Sequence, residues 1–331
     1  MTNRTIRWGI LGTGRIAGLF AQGLAAVPDA TLLAVGSRMQ EAAEAFGARF
    51  EVPRRHGTYE ALASDPEVDV IYVATPHPMH HDNTLLCLRA GKAVLCEKPF
   101  ALNAAQARAM VAEARSRKLF LMEAMWSRFY PAFDRLRELL AAGAIGEVRL
   151  LTADLGFRSN VNPQGRLFNL ALGGGALLDV GVYPVSLASH ILGTPSGVVS
   201  RAHLGETGVD EQAAIILSYP QGQLALLHTA IRTTTPHEAT IMGTEGMIRL
   251  GLDWHKPDRL TISRPGQDDQ VIACPITGNA YNYEAAAVGS YLRAGQTESP
   301  IMPLDESISI METLDTIRAQ WGLRYPGEHD S

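Results

Sequence analysis

Over the first 124 residues, short apolar runs alternate with longer segments whose apolar residues recur at helical spacing. Residues 5–11 and 31–35 predict strands. Each is followed by a helical pattern, the first running through Ala25 and the second over 40–50. Residues 68–74 (VDVIYVA) predict an apolar strand of the kind found where both sheet faces are covered. A helix over 81–90 is stopped by Gly91, and strands follow at 93–96 and 119–122. Between them Asn103 can cap a helix, with Gln106 three residues on as its capping-box partner. Strand and helix in regular alternation with short connections predict a parallel, doubly wound α/β sheet.

The texture changes near Met125. An amphipathic helix over 131–142 leads into strand patterns at 147–157, 198–204, 213–219, 223–232, 238–242, 246–252 and 259–263. Tyr219-Pro-Gln-Gly-Gln223 and Gly243-Thr-Glu-Gly246 are turn signals between strands. Strands that follow one another without helices predict antiparallel pairing. Helices over 283–294 and 304–323 end the pattern. The expected second part is an α+β domain with a large, mainly antiparallel open sheet and helices on one face. The domain cut falls at 124/125, giving 1–124 and 125–331, which suits a chain of 331 residues.

Composition narrows the function. A net charge of −5 argues against a protein that binds nucleic acid by neutralising phosphates. The three cysteines, Cys87, Cys96 and Cys274, have neither disulfide-framework nor zinc spacing, so they read as buried thiols in a reducing cytoplasm. The chain enters a strand at once, with no apolar segment before it. No apolar run is read as reaching the roughly 18 residues of a membrane span.

Gly12-Thr13-Gly14-Arg15-Ile16-Ala17 matches G-x-G-x-x-G/A between an apolar strand and a helix, the context that gives the pattern meaning. Gly12 permits the tight turn, Gly14 lets the backbone approach a pyrophosphate, and Ala17 lets the helix pack on the strand. This makes the first domain a Rossmann dinucleotide-binding domain. A site for NAD usually carries Asp or Glu about 20 residues further on. Here that place reads Val35-Gly36-Ser37-Arg38-Met39, without a carboxylate. Ser37 can donate to a 2′-phosphate and Arg38 can pair with it. The expected cofactor is NADP, with an unselective site that also takes NAD as the alternative.

Two more segments stand out. Glu97-Lys98-Pro99 ends a strand, at the sheet edge where doubly wound folds bind ligands. Gly173-Gly174-Gly175 precedes Asp179, with Tyr183 four residues later. A helix there would put Asp179 and Tyr183 on one face. Pro184 cannot donate to the Val180 carbonyl, so the helix is expected to kink or restart. His77, His80 and His81 raise a metal reading, but no carboxylate or cysteine cluster accompanies them and Pro78 interrupts the segment, so no metal is assigned.

With these residues in view, the chain resembles the glucose–fructose oxidoreductase, inositol dehydrogenase and rhizopine-catabolism (Gfo/Idh/MocA) oxidoreductases. The matches are Gly12 to Ala17, Thr75-Pro76 with His80, Gly91-Lys92 leading into Glu97-Lys98-Pro99, the Gly173–Gly175 run with Asp179, and Gly243-Thr-Glu-Gly246. Residues 122–129 (MEAMWSRF) and 174–184 (GGALLDVGVYP) look like a subgroup of dimeric dihydrodiol dehydrogenases and NADP-dependent D-xylose dehydrogenases. Inositol-type members carry His where this chain has Tyr183, and most members carry Asn where it has His77.

The resemblance implies Thr75, Pro76, His77, His80, Glu97 and Lys98 on the nicotinamide side of the cofactor. It implies Tyr183 as acid/base, Lys98 as the group that favours the tyrosinate and orients it, and Asp179 as a residue that orients Lys98 or the substrate. The roles of Lys98 and Tyr183 are interchangeable at this level. Trp126, Phe157 and Trp254 are candidate substrate-pocket walls, with Arg128 at the pocket or cofactor rim. Two groups from separate domains, at residues 98 and 183, are expected to meet beside the reactive carbon. The implied reaction is hydride transfer between NADP and a hydroxyl or hemiacetal carbon of a sugar or cyclic diol. A homodimer or higher homo-oligomer through the C-terminal sheet is also implied. A non-catalytic NADP(H)-sensing protein and an enzyme with internal redox cycling are the alternatives. Nucleic-acid and membrane partners are not expected.

Overall fold

The computed structural model describes residues 4–328. Backbone contacts divide it into two units: residues up to 129 together with 276–308, and residues 130–275 together with those from 309 on.

In the first unit the elements are β1 (Ile6–Leu11), α1 (Arg15–Leu24), β2 (Ala30–Gly36), α2 (Gln40–Arg49), β3 (Arg54–His56), α3 (Tyr59–Ala63), β4 (Val70–Val73), α4 (His80–Arg89), β5 (Ala93–Glu97), α5 (Ala104–Arg117) and β6 (Leu121–Ala124). The strands form one sheet in the order β3-β2-β1-β4-β5-β6, with every pair parallel. This is the expected doubly wound sheet. Its order reverses between β1 and β4, the switch point where such sheets bind ligands. Every residue of β4 and β5 is buried, as their apolar runs require. The Asn103 side chain accepts from Gln106 N–H at the start of α5, and Gln106 Oε1 accepts from Leu102 N–H. The pattern of apolar residues missed β3 and α3. β3 is Arg-Arg-His on the sheet edge, where one side needs no apolar cover.

In the second unit α6 (Pro131–Ala141), β7 (Val148–Gly156), α7 (Val182–Leu192), β8 (Gly197–Leu204), β9 (Asp210–Ser218), β10 (Leu224–Ala230), β11 (Ala239–Gly243), β12 (Met247–Arg249), β13 (Arg259–Ser263) and β14 (Gln270–Ala273) follow. The strands make an eight-stranded sheet ordered β14-β13-β12-β11-β7-β10-β9-β8. Both turn signals close hairpins, Tyr219 and Gln223 bonding between β9 and β10 and Gly243 and Gly246 between β11 and β12. One pair departs from the antiparallel expectation: β10 runs parallel to β7. Their connection is long and contains α7, which returns the chain to the same end of the sheet before β8 begins.

α8 (Tyr281–Arg293) belongs to the first unit, and α9 (Leu304–Ala319) is divided between the two at Ile308 and Ser309. The sequence pattern drew one cut at 124/125, whereas contacts return 276–308 to the first unit. α8 packs on α1 so closely that a Cβ at Gly23 would lie 2.7 Å from that of Tyr281. Arg293 also pairs with Asp29 at 2.7 Å.

One stretch, Leu170–Leu192, is long and apolar enough for a membrane span by length and composition, contrary to the sequence reading, and 83% of its most apolar window is buried inside the protein. It contains α7, which packs on β7 and β10 as a core helix.

Candidate active site

The glycine turn sits at the switch point. Gly12 has φ +111°, and a Cβ there would stand 2.9 Å from the Ala74 carbonyl oxygen, so only glycine fits between β1 and the end of β4. Gly14 caps α1 with no side-chain bond, and nothing lies within 4 Å of where its Cβ would be. The first-turn N–H groups of α1, at Arg15 and Ile16, therefore start from bare backbone. That open cradle at a helix N-terminus fits a dinucleotide pyrophosphate. Thr13, Gly14 and Arg15 border a cavity of about 370 Å³ together with Gln22, Arg49 and Phe50. Ala17 is fully buried, as close helix packing requires.

Ser37 follows β2, is buried, and accepts from Met39 N–H through its hydroxyl. Arg38 is exposed and is an electrostatic neighbour of Tyr59 at the start of α3. Burial raises the Tyr59 phenol above its ordinary value while Arg38 works to lower it. Tyr59 carries no motif, and only the fold brings it to Arg38.

Around β4 and β5, His80 is fully buried. Its Nε2 lies 2.8 Å from the Thr75 carbonyl oxygen and its Nδ1 2.8 Å from that of Pro99. Each ring nitrogen thus lies within hydrogen-bonding distance of a backbone carbonyl oxygen. His80 thus ties the segment after β4 to the one after β5. His77 packs its ring edge-on against His80 at 5.7 Å. Thr75 is buried and accepts from Asn83. Glu97 accepts from the Tyr72 hydroxyl through Oε1 and from Lys98 N–H through Oε2. Lys98 is partly exposed, Pro76 likewise, and the Lys98–Pro99 bond is cis.

In the second unit the triglycine run has a local reason at each residue. Gly173 turns left-handed at φ +68° after a short 3-10 turn. A Cβ on Gly174 would meet three carbonyl oxygens within 2.9 Å. Gly175, at φ +118°, abuts the Asp210 carboxylate. Residues 177–181 then form a π turn flanked by Ala176 and Val182, both right-handed helical, and the helix runs on without a gap into α7, which contains Pro184. Where Pro184 led to an expected kink or restart, the structure has a π turn immediately before it in an otherwise continuous helix. Asp179 is buried and paired with Arg166 at 2.5 Å; Tyr183 is buried. Arg166 was absent from the sequence reading because it sits in an irregular loop with no pattern of its own.

Trp126 is buried and stacks on Tyr281 of α8 at 5.3 Å. Arg128 is 1% exposed, and its guanidinium bonds Glu306 and the Ile301 carbonyl. Within its unit it therefore fastens the segment before α6 to the returning chain. Phe157 is half-buried, its N–H bonded to the Ala230 carbonyl. Trp254 is 1% exposed and donates from Nε1 to the Asp154 carbonyl, anchoring the loop after β12 to β7. That anchor presents the next residue, His255, to Tyr183, with ring centroids 5.8 Å apart. Lys98 belongs to the first unit and Tyr183 to the second.

Residues 6–125 match the family model described as an oxidoreductase family with an NAD-binding Rossmann fold, and residues 133–249 match the GFO/IDH/MocA C-terminal domain. Trans-1,2-dihydrobenzene-1,2-diol dehydrogenase of Mus musculus is 41% identical, covering 97% of this chain and 98% of the relative. The Homo sapiens protein of that name is 39% identical with the same coverage. Among solved structures, a 3-ketoreductase from Actinomadura kijaniata in complex with NADP and TDP-benzene superposes with a TM-score of 0.85 at 28% identity, over 96% of this chain and 98% of that one. An aldose-aldose oxidoreductase from Caulobacter crescentus complexed with glycerol superposes with a TM-score of 0.87 at 25% identity, again over 96% and 98%.

Proposed function

The chain belongs to the GFO/IDH/MocA oxidoreductase family, and on that premise we propose that it transfers hydride between NADP and a hydroxyl or hemiacetal carbon of a sugar or cyclic diol, of the D-xylose or trans-dihydrodiol type. The near full-length similarity to dihydrodiol dehydrogenases carries this reading. When bound, the dinucleotide supplies the hydride-exchanging ring.

The residues divide the work. Gly12 to Ile16 receive the pyrophosphate, Ser37 and Arg38 the 2′-phosphate, and Thr75, Pro76, His77, His80, Glu97 and Lys98 the nicotinamide end. Oxidation of an alcohol needs a proton acceptor at the hydroxyl as the hydride departs. Tyr183 takes that proton and Lys98 stabilises the phenolate, or the two exchange these parts. Asp179, paired with Arg166, orients the substrate or the ammonium. Trp126, Phe157, Trp254 and Arg128 shape or support the substrate side.

The likeness to an aldose-aldose oxidoreductase favours one second reading, a redox cycle closed within the enzyme. Absorbance of the reduced cofactor, followed over a panel of aldoses and diols, tests both. Net NADPH formation is expected for the main reading, with Y183F and K98M each reducing turnover strongly. Product without net cofactor change would favour the internal cycle. Turnover that survives both substitutions would remove the assigned roles.

A further inference from the structure

Glu284 lies on α8, fully buried, and neither of its carboxyl oxygens has a hydrogen-bond partner among the described residues. Its electrostatic neighbour is Glu97 at the end of β5. Tyr72 on β4 and Tyr281 on α8 belong to the same surroundings: burial first, and then Glu97, Glu284 and Tyr281, push the Tyr72 phenol well above its ordinary value. Tyr72 is itself sealed beneath Phe20, their rings stacked at 3.8 Å.

The two carboxyls are not equivalent. Glu97 receives the Tyr72 hydroxyl on Oε1 and the Lys98 N–H on Oε2, and donors to both oxygens favour a carboxylate. Glu284 receives none, and an isolated buried carboxylate is costly. Two carboxylates buried near one another add mutual repulsion, so the pair favours holding one proton between them. Burial first, and Glu97 second, accordingly push Glu284 well above the ordinary carboxyl range.

We propose that Glu284 is a positioning residue: it stays protonated so that Glu97 can stay ionised and hold the Lys98 amide in place. No sequence motif marks Glu284. It reaches Glu97 only because residues 276–308 return to the first unit. The proton arrangement stands on the first unit alone, while its catalytic consequence rests on the role given above to Lys98.

The sign of the pH effect follows. A carboxyl whose proton is held more tightly in the folded state contributes stability below its unfolded value, and that stability is lost as pH rises through the folded one. In alkaline solution Glu284 ionises, repels Glu97 and loosens the Lys98 segment. Three measurements on the full chain test this, with E284Q and, should that variant fold poorly, the apolar E284M. The infrared difference between wild type and E284Q near neutral pH should show a protonated carboxylic-acid band lost from the wild type. Loss of carboxylate bands alone overturns the proposal. The melting temperature of wild type minus that of the variant should fall as pH is raised from about 5 to about 9, and a constant difference overturns it. The alkaline limb of kcat/KM should move to higher pH in E284Q, by about one unit, and a limb that stays put overturns the positioning role. The first two readings need no substrate. If they hold while K98M retains full turnover, the assignment of Lys98 fails and the carboxyl pair stands.

Discussion

The His255 imidazole packs against the Tyr183 phenol with ring centroids 5.8 Å apart and planes tilted by 58°. Behind it His237 stands edge-on at 6.1 Å, its Nδ1 2.9 Å from Asp253. Burial works to lower the proton affinity of His237, but the hydrogen bonds to Asp253 and to the Gly156 carbonyl outweigh it and leave it raised. Asp253 also pairs with Lys256 at 3.4 Å. Tyr183 therefore faces a titratable ring backed by an ion pair. We expect H255F to lower kcat/KM by about ten- to a hundredfold and to displace the pH profile, with cofactor KM unchanged. A profile identical to wild type would reduce the contact to packing.

Arg38 stands where an NAD-selective site carries a carboxylate, with the Tyr59 phenol near enough to feel its charge. R38D should raise KM for NADP far more than for NAD. Y59F, which removes the phenol oxygen near Arg38, should shift the same ratio in the same direction by a smaller factor. Steady-state kinetics with both cofactors would show it, and equal effects on the two would contradict the assignment.

Asp210 is fully buried and accepts from Leu177 N–H at 2.7 Å. Burial pushes its carboxyl up to about 7. Its stability contribution is therefore complete below about pH 4 and lost as pH rises to about 7. The melting temperature of wild type should fall relative to D210N across that window, equivalent to a few kcal/mol at most, roughly. Parallel curves for the two proteins would show that Asp210 titrates normally.

The solvent side of the eight-stranded sheet exposes Val199, Ile216, Leu224 and Leu226. A second copy covering this apolar face would bury it. Light scattering at micromolar concentration should give the mass of a homodimer or a higher homo-oligomer, and I216E with L226E should shift it to the monomer. A monomeric wild type would refute this assembly.

Much of the molecule was legible in the chain. The β1 strand, the Gly12–Ala17 turn and the Asn103 cap are set by contacts within a few residues, so periodicity and capping chemistry reveal them. Pro184 marked an irregular turn because its missing N–H acts locally, and a π turn over 177–181 precedes it. β3 was hidden because an edge strand can be polar, and the parallel β7–β10 pair because partners some 70 positions apart leave no local trace.

By itself, then, the sequence determined what each segment does alone: which runs become strands, where the backbone must be bare, and which side chains carry protonic chemistry. Tertiary structure decided which of those groups meet. Tyr59 at Arg38, Arg166 at Asp179, His255 at Tyr183 and Glu284 beside Glu97 are all encounters between segments distant along the chain. Such encounters rest on packing, in which many residues jointly fix one position, and no short pattern encodes that.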